Sequence, residues 1–576
     1  MSKARRRLTF DNVDDEVESE VFADKNGSAQ QSLADPDSQL LDQQTQPVRQ
    51  MKEKQQKEVD TKNAIDDRIF DFVRKELIFS RVILIFFQFV FTKVMGEWKT
   101  DAFKGIPVDR EVGVIDRIVK ALVVMGEWKT DAFKGISVDR EVSVIDRIVK
   151  ALVGGLGNWD SVHFMHIAEH GYTWESELAF FPLFPIVLRM VGSVFHWLLT
   201  PIGFDSAVLL AGVIINNVAF VAAGMVLLQL VHKLTDSLKQ ALIAVYIFCW
   251  NPASVFFSAV YTESVYSLAT FTGIYLLYQK PNNRLNQMVS AVIFSFAFLT
   301  RSNGFLNLGY LGFIILLETI LKRRKSGKPV FEEMDHNFSQ KVIKSAFFLF
   351  AYFLIMILPL RIFGFTIEDK FCNNVANYSN TAVVEYAEKE SMVLPGDLKN
   401  LEWCQNNIAI FMPKYYATVQ EKYWNVGLFG YWQLRKIPLF LVAAPTLGFI
   451  FYGIVDLICD LTMDSRNWEE ILTDKTMLIP FSIHSLFIAC SGIFIYNVEV
   501  SIRLLYSSSP YIYIVLARIM SNQTRRIKVP DDLLVPPLPF LFNYALVRPL
   551  HFLMLTYLLG YFTIGTMMHV NWLPYV

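Results

Sequence analysis

The stretch Asn158–Pro185, NWDSVHFMHIAEHGYTWESELAFFPLFP, sets the reading of this 576-residue chain. It gathers Trp159, Asp160, His163, His166, Glu169, His170, Glu175 and Glu177 in a sequence otherwise crowded with apolar runs. Over the whole chain, 53% of residues are hydrophobic and the mean hydropathy is +0.32, well above a soluble domain of this length. Working outward from the polar stretch, apolar segments follow at 205–231, 240–257, 262–279, 287–300, 304–321, 344–365, 438–459, 478–497, 500–519 and 550–570, and one precedes it at 72–94. A chain in lipid must satisfy its backbone internally, so the expected fold is an all-α polytopic membrane protein. Placing the basic loops Lys322–Lys328 and Thr524–Lys528 in the cytosol predicts about eleven crossings, with 179–199, interrupted by Pro182 and Pro185, dipping into or lying on the membrane.

The expected organisation is a disordered cytosolic tail over 1–65, a first span at 66–94, a lumenal region at 95–153, a lumenal or interfacial catalytic loop at 154–203, a membrane bundle at 204–365, a lumenal loop at 366–437 and a C-terminal bundle at 438–576. The tail carries the basic run Lys3–Arg7, which reads as a solvated charge run. Region 94–123 recurs almost unchanged as 124–153, differing at Pro107/Ser137 and Gly113/Ser143. Two near-identical copies point to a recent duplication rather than a solenoid. Each copy ends in Val-Ile-Asp-Arg-Ile-Val-Lys-Ala-Leu-Val, a pattern suited to a helix along the membrane face.

The net charge of −1 offers no hint of nucleic-acid binding. Five cysteines form no CxxC pair or zinc-like cluster, which argues against a structural metal. Cys249, Cys459 and Cys490 read as small packed residues. Cys372 and Cys404 share the one long polar loop, and a disulfide between them is compatible with a lumenal loop. The sequon Asn377-Tyr378-Ser379 falls on the same side, whereas Asn26, Asn337 and Asn522 fall in the cytosol.

Ionisable residues at membrane depth are costly, so a set facing one compartment marks a functional site. Tyr261-Thr262-Glu263 and Arg301-Ser302-Asn303-Gly304 both follow an apolar run at its expected lumenal end, as site residues or as interfacial caps. Arg301 suits a phosphate. Gly304 suits close backbone approach or a tight turn. Asp160 fits two compatible roles: a base taking a proton from a sugar hydroxyl, and an N-cap for the helix behind it. His163, His166 and His170, spaced by three and four, share one helical face. They fit hydrogen bonding to a sugar or phosphate, structural packing, or a metal, although no HExxH-like motif accompanies them.

Taken as ordered blocks, these residues closely resemble the PIG-V family of GPI mannosyltransferases. The match runs through Trp159-Asp160, His163-Phe164, Ile167–Tyr172, Ala179–Pro182 with Phe184-Pro185, Tyr261–Glu263, Arg301–Gly304, Trp403-Cys404, Tyr423–Gly427, Ala443–Pro445 and His569–Pro574, covering about residues 66–576. The resemblance implies a GT-C-type multi-span helical bundle with lumenal loops and interfacial helices, in the endoplasmic reticulum membrane, with a cytosolic N-terminus and a lumenal active site. It implies transfer of the second, α-1,6-linked mannose from dolichyl-phosphate-mannose to a one-mannose GPI precursor, with inversion. The partners are then a lipid-linked sugar donor, the GPI-precursor lipid and the membrane, and no cofactor or metal is called for. A small membrane partner subunit has no sequence signal of its own. The N-terminal tail and the second copy of the 94–123 unit depart from the family pattern.

On this reading Asp160 is the catalytic base and Arg301 the donor-phosphate ligand. His163, Glu169 and His170 shape the acceptor pocket, with Trp159, Tyr261, Glu263 and Asn303 also lining the substrates. The rival reading is a lipid or solute transporter, or a non-catalytic scaffold. No inverted repeat of the transporter kind is visible.

Overall fold

Short helices broken by proline and glycine, set among a few long apolar ones, make up the described part of the molecule. The computed structural model describes residues 67–94, 142–325, 336–373, 381–389, 392–405, 412–462, 476–522 and 549–573. The tail with its Lys3–Arg7 run, the first copy of the repeat, the Asn377 sequon and the basic loop Thr524–Lys528 lie outside those residues. Almost everything described belongs to one compact unit, Phe72–Met463 with Leu478–Val576.

The first helix, α1 (Asp67–Val94), is a 28-residue span, and it turns Leu77, Arg81, Leu84 and Gln88 inward. The end of the second repeat copy forms α2 (Val144–Val153). Ser143 opens α2 with a capping box: its hydroxyl accepts from Asp146 N at 3.1 Å, and Asp146 Oδ2 accepts from Ser143 N at 3.0 Å. Val149 and Val153 are buried, while Val144, Ile148 and Leu152 form an exposed apolar stripe at helical spacing. Thus the expected amphipathic helix forms in the second copy.

The polar stretch then folds as α3 (Asp160–His170) and, past Pro182, α4 (Leu183–Leu198). At 16 residues α4 is about 24 Å long, short of the roughly 30 Å hydrocarbon core, so by length it cannot cross alone. It packs on α5 (Phe204–Thr235), which packs in turn on α6 (Leu238–Cys249) and α7 (Glu263–Gln279). Pro252 ends the run after α6, leaving helix-end carbonyls in need of donors. Arg81 of α1 supplies one, donating to Cys249 O at 2.8 Å, and also donates to Ser254 O of the following turn at 3.0 Å.

Helices α8 (Arg284–Thr300), α9 (Leu308–Lys325) and α10 (His336–Glu368) follow. Phe347, Phe350, Leu354, Leu358, Ile362 and Phe365 of α10 all point outward, as a lipid-facing surface requires. The loop after α10 contributes α11 (Thr381–Lys389) and α12 (Lys414–Trp424), and the Cys372–Cys404 disulfide is formed within it. The C-terminal part comprises α13 (Ile437–Thr462), α14 (Ile479–Phe494), α15 (Val500–Ser508), α16 (Pro510–Asn522) and α17 (Pro549–Val570).

Where the apolar pattern predicts about eleven crossings, five helices among the described residues are long and apolar enough to span, or six if α15 and α16 count as one bent pair. Several of the apolar runs fold as shorter helices. α4, α6, α8 and α14 are apolar but have 12 to 17 residues. The α15–α16 pair bends by 85° at Ser509. Pro510 has no N–H to continue the ladder and drives Ser509 into an extended conformation, φ −122° and ψ 119°.

Candidate active site

Asp160 opens α3 just after a strained residue. Trp159, the helix N-cap, has φ 60°, a left-handed conformation that costs a non-glycine residue about 1–3 kcal/mol and that its surroundings must hold. Those surroundings come from the far end of the chain. The Trp159 ring lies 5.7 Å from that of Trp572, and Asn158 Nδ2 donates to Val570 O at 2.9 Å. The capping role read for Asp160 therefore falls on its neighbour, without a side-chain bond. Asp160 is the first helical residue, its N–H donating to the Tyr261 hydroxyl oxygen at 3.0 Å and its carboxylate turned elsewhere.

That carboxylate meets Arg503 of α15, whose Nη1 donates to Asp160 Oδ2 at 2.8 Å. Arg503 Nε lies 3.9 Å from Glu263 Oε1, at the start of α7, and Arg301 Nη1 reaches the same oxygen at 2.9 Å. A chain of alternating charge results, Asp160–Arg503–Glu263–Arg301. Arg301 ends α8 in an extended conformation and also donates to Ser507 Oγ at 3.3 Å. Asn303 Nδ2 donates to Ser508 Oγ at 2.6 Å. A Cβ on Gly304 would sit 2.5 Å from the backbone of Phe298, so the turn that presents Arg301 and Asn303 needs glycine there. Around the ion pairs the wall is aromatic: the Arg503 guanidinium lies 5.4 Å from both the Phe256 and Tyr261 ring centres, and the His569 ring lies 5.6 Å from that of Tyr261.

Burial by itself would raise the Asp160 carboxyl. The adjacent Arg503 charge and hydrogen bond outweigh it, with smaller help from His163 and His569, and hold it below the usual carboxylate range. Asp160 is ionised, and one-third of its side chain remains exposed. His163, one turn along α3, stacks on Phe180 at 4.6 Å, and burial lowers it to about 4 against the pull of Asp160, leaving a neutral imidazole.

The structure thus brings Trp159, Asp160, His163, Tyr261, Glu263, Arg301 and Asn303 to one place. Glu169 and His170 lie at the other end of α3, about 13 Å along the helix axis from Asp160. They pair with each other at 3.5 Å, while Arg189 closes the helix end by donating to Ala168 O and Glu169 O at 2.9 and 3.0 Å. Burial, with Asp205 nearby, raises Glu169 to about 7. The three histidines do not share one set of ligands: His166 Nε2 lies 3.0 Å from Glu177 Oε1 with its ring 4.7 Å from that of His170, while His163 stacks on Phe180. Among the described residues no group of three His, Cys, Asp or Glu side chains could hold a metal ion.

Glu175 and Glu177 are used differently. Glu175 accepts from Trp403 Nε1 at 3.0 Å, Lys422 Nζ at 2.6 Å and the Tyr423 hydroxyl at 2.9 Å, which clasps the polar stretch to the loop that holds the disulfide. Glu177 Oε2 accepts from the backbone N–H of Thr173 at 2.6 Å and of Trp174 at 3.3 Å. Burial raises Glu177 to about 8 and lowers His166 to about 2, so both are neutral partners.

Sequence reasoning missed Arg503, Ser507 and Ser508 because they sit inside an apolar run read as a span. An arginine within such a run was the available signal, since charge in lipid is expensive.

Fold and site together define a polytopic helical membrane protein with a buried, half-open constellation of paired charges at the ends of its helices. Within that class the chain belongs to the mannosyltransferase (PIG-V) family, whose profile matches residues 113–576, and it is accordingly a glycosyltransferase. It is 29% identical to the GPI mannosyltransferase pigv-1 of Caenorhabditis elegans over 91% of this chain and 83% of that protein. It is 27% identical to the human GPI alpha-1,6-mannosyltransferase 2 over 73% of this chain and 88% of that one. Among solved structures, the oligosaccharyltransferase AglB of Archaeoglobus fulgidus aligns with a TM-score of 0.36 at 10% identity, over 80% of this chain and 56% of that one.

Proposed function

We propose that this chain transfers mannose from dolichyl-phosphate-mannose to the one-mannose GPI precursor, forming the second, α-1,6 linkage, at the lumenal face of the endoplasmic reticulum membrane. The observation that carries the reading is Asp160: an ionised, one-third-exposed carboxylate among two guanidiniums and aromatic rings. A sugar phosphate is already activated, so transfer needs a base for the acceptor hydroxyl and positive charge for the leaving phosphate. Asp160 is the base and Arg301 a phosphate ligand. Glu263 orients Arg301. Tyr261, His163, Trp159 and Asn303 supply neutral hydrogen bonds and stacking surfaces for sugar. Attack from the face opposite the phosphate turns a β-linked donor into an α-linked product. Glu169 and His170, farther along α3, would meet only a distal part of the acceptor.

No redox or group-carrying cofactor enters this scheme, because the donor brings its own leaving group. A lumenal position for the loop after α10 is supported by its Cys372–Cys404 disulfide, a bond at home in an oxidising compartment. With that assignment the N-terminus is cytosolic. The deciding experiment is mannose transfer by purified protein from dolichyl-phosphate-mannose to a one-mannose GPI acceptor, with the linkage read from the product. Transport of a lipid without transfer would overturn the proposal in favour of a carrier.

A further inference from the structure

The charges around Asp160 cancel. Asp160 and Glu263 bring two negative charges, Arg503 and Arg301 two positive ones, and His163 is held neutral. A phosphodiester entering this site adds one more negative charge to groups that already have partners. In a mostly buried setting an uncompensated charge is costly, so some resting pair has to open.

Arg503 is the member built to exchange. Its Nη1 serves Asp160, while Nε faces Glu263 at 3.9 Å and the guanidinium lies against Phe256 and Tyr261. A guanidinium carries five donors in a rigid fork, so it can turn an edge toward phosphate without leaving Glu263. It sits on α15 one and a half turns before the 85° break at Ser509, beside Ser507 and Ser508, which already receive Arg301 and Asn303.

The reaction proposed above moves charge along the same line. The acceptor O–H gives its proton to Asp160, and its oxygen bonds to the sugar C1. The C1–O bond to phosphate breaks with the electron pair staying on the phosphate oxygen. Asp160 goes from −1 to neutral as the phosphate goes from −1 to −2.

We propose that Arg503 is a positioning residue that follows this charge: at rest it locks Asp160, and it turns to the donor phosphate when that binds, releasing the carboxylate to take the acceptor's proton. The base is then available only when the donor is in place. This rests on the mannosyl-transfer reading. It agrees with the depressed Asp160 carboxyl, a weak base for as long as the pair stands. The ionisable groups facing Asp160 are Arg503 from α15, Glu263 and Tyr261 at the start of α7, His163 from its own helix and His569 from α17. Glu499, one turn before Arg503, is a carboxyl raised by burial that accepts from the Tyr431 hydroxyl at 2.6 Å.

The test uses the full chain in lipid nanodiscs, with Arg503→Gln, Arg503→Lys and Asp160→Asn. Arg503→Gln should raise donor KM about tenfold and lower kcat about a hundredfold. It should also move the acid limb of kcat/KM to higher pH, because Asp160 loses the charge that depresses it. Arg503→Lys should recover part of both. Independently of whether the variants fold, dolichyl phosphate added to wild type should tighten acceptor binding about tenfold, the size of an ordinary coupling between sites. Arg503→Gln with unchanged donor KM and acid limb, or wild type with no such coupling, overturns the switch. Asp160→Asn transferring at the wild-type rate overturns the base assignment and the switch with it. An inactive Asp160→Asn beside an unaltered Arg503→Gln overturns the switch alone.

Discussion

Two carboxylate clusters lie within twenty residues of sequence, and they are built to opposite ends. Around Asp160, one partner holds the carboxylate and a third of the side chain stays open. Around Glu175 and Glu177 the side chains are 1% and 0% exposed. Trp403, Lys422 and Tyr423 converge on the first of these, and Thr173, Trp174 and His166 surround the second. A carboxylate saturated by fixed donors has no capacity left for a substrate, whereas one held by a single exchangeable cation does. Satisfaction and reach, not charge or sequence neighbourhood, separate the working acid from the structural ones.

The largest separation should come from Asp160→Asn, which keeps the shape and removes the base. Turnover should fall about 10²–10⁴-fold with unfolding temperature little changed, measured by mannose transfer beside a thermal melt. Full rescue of surface GPI-anchored proteins by the variant, at normal expression in cells lacking the enzyme, would erase the contrast. Glu177→Ala should do the reverse. The N–H groups of Thr173 and Trp174 lose their acceptor, at about 1–3 kcal/mol for each buried group left unpaired, while activity per folded molecule is retained. Denaturant or heat titration of detergent-solubilised protein reads this.

Removing the disulfide as Cys372→Ser with Cys404→Ser should lower stability by about 2–4 kcal/mol, and should loosen the clasp on Glu175 through its neighbour Trp403. Protease sensitivity of the loop after α10 reports it.

The pH dependence of stability should sharpen the contrast further. Glu177 is raised from 4.5 to about 8, so its contribution is complete below 4.5 and is lost as pH rises through 8. His166 is lowered from 6.5 to about 2, so its contribution is present above 6.5 and is lost as pH falls below it. Of these two only Glu177 acts above 6.5, and Glu177→Gln should therefore flatten part of the decline of melting temperature between about pH 6.5 and 8. The smallest effect belongs to Glu169→Gln and His170→Ala. Their distance along α3 limits the expected change in kcat to within about threefold. A hundredfold loss from either would mean that the acceptor reaches far down the helix.

Much of this was readable in advance, unevenly. The helix carrying Asp160 and His163, the turn at Arg301–Gly304 and the amphipathic end of the repeat are local patterns, visible as histidines spaced by three and four, a glycine and apolar spacing, although the cap read for Asp160 is Trp159. Helix lengths were less legible, because apolar runs show which residues avoid water but not where Pro182, Pro252 or Pro510 interrupts a helix. Glu169 and His170 share a helix and a polarity with Asp160, and sequence proximity grouped what an eleven-residue helix sets apart.

By itself, the sequence determined the class of molecule, the helix that begins at Asp160 and the family pattern around it, since solvent avoidance and helical spacing act over a few residues. Only the tertiary structure decided that Asp160 is held by Arg503, 343 residues away, and that Trp572 supports the strained Trp159. Those meetings depend on how α15, bent at Ser509–Pro510, and the end of α17 pack against α3 and α7. Pairing of charges across a bundle is set by that packing, and no local periodicity encodes it.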